Sequence, residues 1–183
     1  GSFDDNLAHS NAVDGLLIDG HHPKNGLTHW YRFTGYHNWR MGVMTAIVSN
    51  HLYHDFTLAG NRRGNIVISD GNGNWGNMGL VGALIVQAPD RAQWSDRFQE
   101  GTGKPSPTIG LGLPSSHRFI AEDATFVGYS APHIALVPCA ASGGCGSQGG
   151  FEQRFAGIRF HNSTRRHSVR DQFEVIWHDT DGS

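Results

Sequence analysis

Five aspartates stand where a carboxylate can do chemistry. Asp55, Asp70, Asp123, Asp179 and Asp181 each fall at or near the end of an apolar, strand-like run. Two carboxylates brought close on one face form the acid/base pair that glycosidic bond cleavage requires. The same residue type also hydrogen-bonds turn backbone, so spacing leaves both readings open. If the chain is an enzyme, its catalytic set is Asp179 and Asp181 with His178 beside them. Hard oxygen ligands recur on tight loops: Asp70, Asn72 and Asn74 in D-G-N-G-N, and D-T-D-G at 179–182. Calcium is the one cofactor these suggest, although neither loop has the later glutamate of an EF-hand.

Histidines number 12, so the charge of the chain responds to pH between about 5 and 7. His51 with His54, or His161 with His167, are the pairs that a metal would use. H-x-x-H on a strand puts its two rings on opposite faces, which works against a shared site for the first pair. No H-E-x-x-H is present. Arg165, Arg166 and Arg170, with His161 nearby, form the one basic cluster. Guanidinium forks match carboxylates, so this cluster reads either as a patch for an acidic polysaccharide or as a solvated loop. No G-x-S-x-G, P-loop or dinucleotide-binding glycine pattern occurs.

The elements that must position these residues are short and β-rich. Apolar runs at 13–19, 41–48, 51–58, 66–68, 80–87, 118–127 and 133–138 alternate with turn clusters of Gly, Asn and Asp. His29 to Phe33 packs three aromatics together and reads as core or a stacked ladder rather than a binding platform. Two last runs, Phe155 to Phe160 and Phe173 to Trp177, each end in turn chemistry. Residues 88–114 hold four of the seven prolines and read as an irregular excursion from one domain spanning 1–183. Charged residues are only 16% and glycines number 25, which suits stacked coils better than a helical bundle. The fold expected is all-β, a right-handed parallel β-helix or a segment of one, in coils of ~20–25 residues. A β-sandwich uses the same short strands and is the rival.

Formal net charge is −2 without a basic stripe, which gives no reason to expect nucleic acid. No run approaches the ~20 apolar residues of a membrane span. Residues 1–20 lack the pattern of a signal peptide. Cys139 and Cys145 enclose five small residues, a loop that closes easily into a disulfide and would then indicate an oxidising compartment; two free thiols are the other reading.

F-A-G-I-R-F-H-N-S at 155–163, followed by V-I-W-H-D-T-D-G-S at 175–183, resembles the β-helix region of the family containing the cell-migration-inducing hyaluronidases, transmembrane protein 2 and the fibrocystins. Tyr36 to Gly42, Asn50 and Leu58 to Asn61 echo the same region more weakly. The resemblance implies an extracellular or cell-surface location. It also implies one of two functions. The first is a structural or recognition module of a larger protein, binding an acidic polysaccharide such as hyaluronan or another extracellular protein. The second is a hyaluronidase-like depolymerase. Bare coil ends and strand edges further predict self-association or flanking domains.

Overall fold

A computed structural model describes residues 3–70, 77–87, 108–114, 118–137, 153–167 and 177–180. The described chain winds in coils of three strands. The first coil is β1 (Phe3–Asp4), β2 (Leu7–His9) and β3 (Leu16–Asp19); the second is β4 (Thr28–Tyr31), β5 (Thr34–Tyr36) and β6 (Met41–Val48). The third is β7 (His51–His54), β8 (Thr57–Ala59) and β9 (Gly64–Asp70); the fourth is β10 (Asn77–Val81), β11 (Leu84–Val86) and β12 (Ile109–Gly112). Then come β13 (Arg118–Glu122), β14 (Thr125–Val127) and β15 (Ile134–Val137), followed by β16 (Gln153–Ala156) and β17 (Arg159–His161), and β18 (Trp177–Asp179) opens a further coil.

The first strand of every coil joins a seven-stranded sheet A, the second a six-stranded sheet B and the third a five-stranded sheet C. Every pairing is parallel, for example β7 with β10 and β14 with β17. This is the parallel β-helix expected, wound in the right-handed sense that parallel crossovers take, and its all-parallel pairing excludes the antiparallel sandwich.

Register shows what makes the coils. Along sheet A, Asp4 pairs with Tyr31, Tyr31 with His54, His54 with Val81, Val81 with Glu122 and Glu122 with Ala156. The residue after each of these six has a positive φ: Asp5, Arg32, Asp55, Gly82, Asp123 and Gly157. Each turns the chain from sheet A into sheet B through the left-handed region, which Gly, Asn and Asp enter most cheaply. Arg32 is the exception in type, and it is held there by ion pairs to Asp4 at 2.5 Å and Asp5 at 2.7 Å. Buried residues follow four of these corners, and Phe33, Phe56, Ala83 and Ala124 share one core with Leu58, Ile85 and Phe126.

These corners correct the strand reading. The run 51–58 is two strands broken at Asp55, 80–87 is broken at Gly82, and 118–127 at Asp123. The corner resets the alternation, so Tyr53, Phe56 and Leu58 point inward while Leu52 does not. The excursion read at 88–114 is also shorter than expected at its end, because Ile109–Gly112 is strand β12 in sheet C; residues 88–107 lie outside the described residues. At Gly82 the left-handed φ of 70° meets a second constraint, since a Cβ there would collide with Asp55 Oδ1. Gly82→Ala is therefore expected to lower stability by about 1–2 kcal/mol, readable by urea denaturation.

A second corner, between sheets B and C, is polar and buried. Asn11 Nδ2 donates to Asn38 Oδ1 at 2.9 Å, and Asn38 Nδ2 donates to Asn61 Oδ1 at 2.9 Å. Asn61 Nδ2 then reaches Asn65 Oδ1 at 2.8 Å, and Asn65 Nδ2 the Tyr129 hydroxyl at 2.7 Å. Asn38, Asn61 and Asn65 are all buried. The ladder satisfies backbone that the narrow corner cannot pair with itself, including the Gly35 carbonyl at 3.0 Å.

Candidate functional site

The outer face of sheet A gathers several chemistry-bearing side chains. Strand alternation sorts them. In β7, His51 and Tyr53 are buried while Leu52 and His54 face out. In β4, Trp30 packs on the core while His29 and Tyr31 face out. The same parity turns Arg118, Ile120 and Glu122 of β13 and Arg154 of β16 outward.

One register row along the helix axis therefore reads His29, Leu52, Gly79, Ile120, Arg154. At one end, three rings lie nearly parallel. Tyr31 and His54 stack with centroids 4.7 Å apart and 19° between planes, and His29 sits 5.2 Å from His54 at 15°. His29 Nδ1 and His54 Nε2 are 3.0 Å apart, a hydrogen bond across the two strands. Burial first, and then the neighbouring His29, lower the pKa of His54. In the middle, Gly79 has no side chain of its own, and Leu52 Cδ2 leans over the space a Cβ would fill. At the other end a shallow groove is lined by Asn77, Arg118, Ile120 and Arg154. From β4 to β16 is four strand spacings, ~19 Å at ~4.8 Å each.

Beneath the ring platform lies a polar cluster centred on buried His51. Trp30 Nε1 donates to His51 Nδ1 at 3.1 Å. An indole nitrogen only donates, so Nδ1 accepts and the proton of neutral His51 is on Nε2. From there it is donated to His21 Nδ1 at 2.8 Å. The Tyr53 hydroxyl lies 3.2 Å from His51 Nδ1. Burial, and next the charge of His21, push the His51 pKa down to about 4.

Of the residues singled out in the sequence, those that are described are scattered by the fold. His51 faces inward and His54 outward, so that H-x-x-H pair shares no site. Asp55 and Asp123 are left-handed corner residues set against the glycines of the next coil, Gly82 and Gly157. That is the turn role rather than a catalytic pairing. Arg165, Arg166 and His161 are exposed near the corner that leaves sheet B. Arg166 stands 5.3 Å over the Phe160 ring. His178 and Asp179 belong to sheet A instead, His178 in register with Arg154 and Asp179 with Phe155. The fold thus places His178 on a strand of sheet A, apart from the arginine cluster that follows β17 of sheet B. Asp70 is the last residue of β9. Asn72, Asn74, Cys139, Cys145, Arg170 and Asp181 lie outside the described residues. Among the described residues no group of three His, Cys, Asp or Glu side chains is arranged to hold a metal.

His29, Tyr31, Arg118 and Arg154 were missed as site residues. The alternation that sets His29 and Tyr31 apart from Trp30 was present in the sequence, but the corner at Arg32 turns Phe33 inward against that parity, and which parity faces out depends on the neighbouring coils.

The site and its scaffold define a three-sheet parallel β-helix with a mixed aromatic and basic outer face. The chain matches no protein-family model and no curated protein. Among solved structures it is similar to the Azotobacter vinelandii mannuronan C-5 epimerase AlgE4 A-module, at TM-score 0.43 and 10% identity, covering 94% of this chain and 56% of that one. The chain thus spans little more than half the length of that module.

Proposed function

We propose that the chain is a recognition module for an acidic glycan, part of an extracellular or cell-surface protein, and that sheet A's outer face is its binding surface. The observation that carries this reading is the register row from His29 to Arg154, with stacked rings at one end and two exposed arginines at the other. A pyranose has an apolar C–H face that lies on flat rings such as Tyr31 and His54. Its carboxylates match guanidinium forks. A chain laid along the helix axis meets both, because the row runs across the strands. Hyaluronan alternates a neutral sugar with a uronate and is the acidic glycan to try first.

Tyr31→Ala is expected to weaken binding of hyaluronan oligosaccharides about tenfold, the loss of ~1–1.5 kcal/mol of ring contact. Arg154→Ala is expected to do at least as much, since a hydrogen bond to a charged partner is worth ~1.5–3 kcal/mol, and its effect should shrink in high salt. Isothermal titration measures both. Equal affinity for a neutral oligosaccharide of the same length would sink the proposal. Shortening of hyaluronan during the titration would instead favour the depolymerase reading and direct attention to Asp179, Asp181 and His178.

A further inference from the structure

We infer that Asn162 is an N-glycosylation site, an inference that rests on the extracellular reading and goes beyond the glycan-binding one. Asn162-Ser163-Thr164 is the only N-x-S/T triplet among the chain's eleven asparagines. The fold places it where a glycan can stand. Asn162 is exposed with φ at 49°, at the outer tip of the corner that leaves β17. Thr164 is exposed as well, and neither side chain makes a hydrogen bond within the described residues. Ser163 between them is buried and fixes the corner: its Oγ accepts the Tyr129 N–H at 3.1 Å and donates to the His161 carbonyl at 3.0 Å. The triplet is absent from the buried asparagines. Asn38, Asn61 and Asn65 spend their amides in the ladder, and a glycan on any of them would split the coils.

The chemistry needs one co-reactant, an oligosaccharide carried on a lipid diphosphate in the secretory pathway. Asn162 Nδ2 forms a bond to C1 of the first sugar and loses one proton. The C1–oxygen bond breaks, and the lipid diphosphate leaves with the electron pair. The attached chain would stand over the corner bearing Arg165 and Arg166. It would leave sheet A, on another face of the coil, open.

The test is secretion of the chain from a eukaryotic host behind a cleavable signal, with a co-secreted reporter glycoprotein as control. Digestion with an N-glycosidase in heavy-oxygen water, followed by peptide mass spectrometry, should place the label at position 162 alone. Thr164→Ala should abolish the label without touching Asn162 or the buried Ser163, and Thr164→Ser should retain it. An unmodified Asn162 in the folded, secreted protein, with the reporter sequon occupied, would overturn the inference. So would a label that persists in Thr164→Ala. Neither result depends on whether sheet A binds a glycan.

Discussion

Asn61→Ala is expected to destabilise the protein by on the order of 3–5 kcal/mol, a large part of the ~5–15 kcal/mol that holds a domain folded. Asn61 is buried at the centre of the ladder and makes four hydrogen bonds. Its Oδ1 accepts from Asn38 N at 3.0 Å and Asn38 Nδ2 at 2.9 Å, and its Nδ2 donates to the Gly35 carbonyl at 3.0 Å and Asn65 Oδ1 at 2.8 Å. Alanine leaves the Asn38 N–H, the Gly35 carbonyl and Asn65 Oδ1 without this partner, and Asn38 Nδ2 with only the Ala8 carbonyl at 3.3 Å. Each buried orphan costs ~1–3 kcal/mol, and relaxation keeps the sum below full additivity. Asn11 is the control. It is exposed at the outer end of the same ladder, where water replaces the lost partner, so Asn11→Ala should cost about 1 kcal/mol or less. Denaturant unfolding of both variants reads the difference. Equal, small losses would show that the ladder does not bear the stacking of the coils.

The second large effect is loss of stability in acid. His51 is fully buried, and burial beside His21 pushes its pKa down from 6.5 to about 4. The unfolded chain takes up a proton on His51 below pH 6.5, whereas the folded chain resists until about pH 4. Between those values the unfolded state binds more protons, so stability rises with pH and falls on acidification. Integrated over the window, the single group removes about 3 kcal/mol by pH 4. His54 is shifted in the same direction and adds to the slope. The check is unfolding free energy from pH 7 to pH 4 in wild type and in His51→Gln, which keeps a donor and an acceptor but does not titrate. The variant should show the shallower slope. Parallel slopes would remove His51 from the account.

Architecture was more legible in this chain than function. Short apolar runs punctuated by Asn, Asp and Gly reveal stacked β coils because strands and turns are local. Coil count was hidden because the partners in sheet A, Tyr31, His54, Val81, Glu122 and Ala156, are unevenly spaced. Extra residues fall in the loops, while the unit from one corner to the next hardly varies: Asp55-Phe-Thr-Leu-Ala-Gly60 and Asp123-Ala-Thr-Phe-Val-Gly128 are aligned copies of it. Asn61-Arg62-Arg63-Gly64-Asn65 reads in sequence as a turn. Asn61 is buried because the corner folds against the coils on either side, a long-range fact that composition does not carry. The His29 to Phe33 cluster was read as core or a stacked ladder; Trp30 and Phe33 pack on the core, and His29 and Tyr31 stack with His54. Two outward rings went unseen because their face is set by strands that lie 23 or more residues away, as Tyr31 pairs with His54.

The account stands most directly on which face meets the glycan. Titration of one acidic oligosaccharide into Tyr31→Ala/Arg154→Ala and into Arg165→Ala/Arg166→Ala compares sheet A with the corner cluster, the first variant losing one arginine and the second two. The outer face of sheet A predicts that the first double variant loses binding by ~100-fold, the product of two tenfold effects at separated positions, and that the second binds within a few-fold of wild type. Full binding by the first variant and its loss in the second would contradict the account and return the site to the arginines after β17.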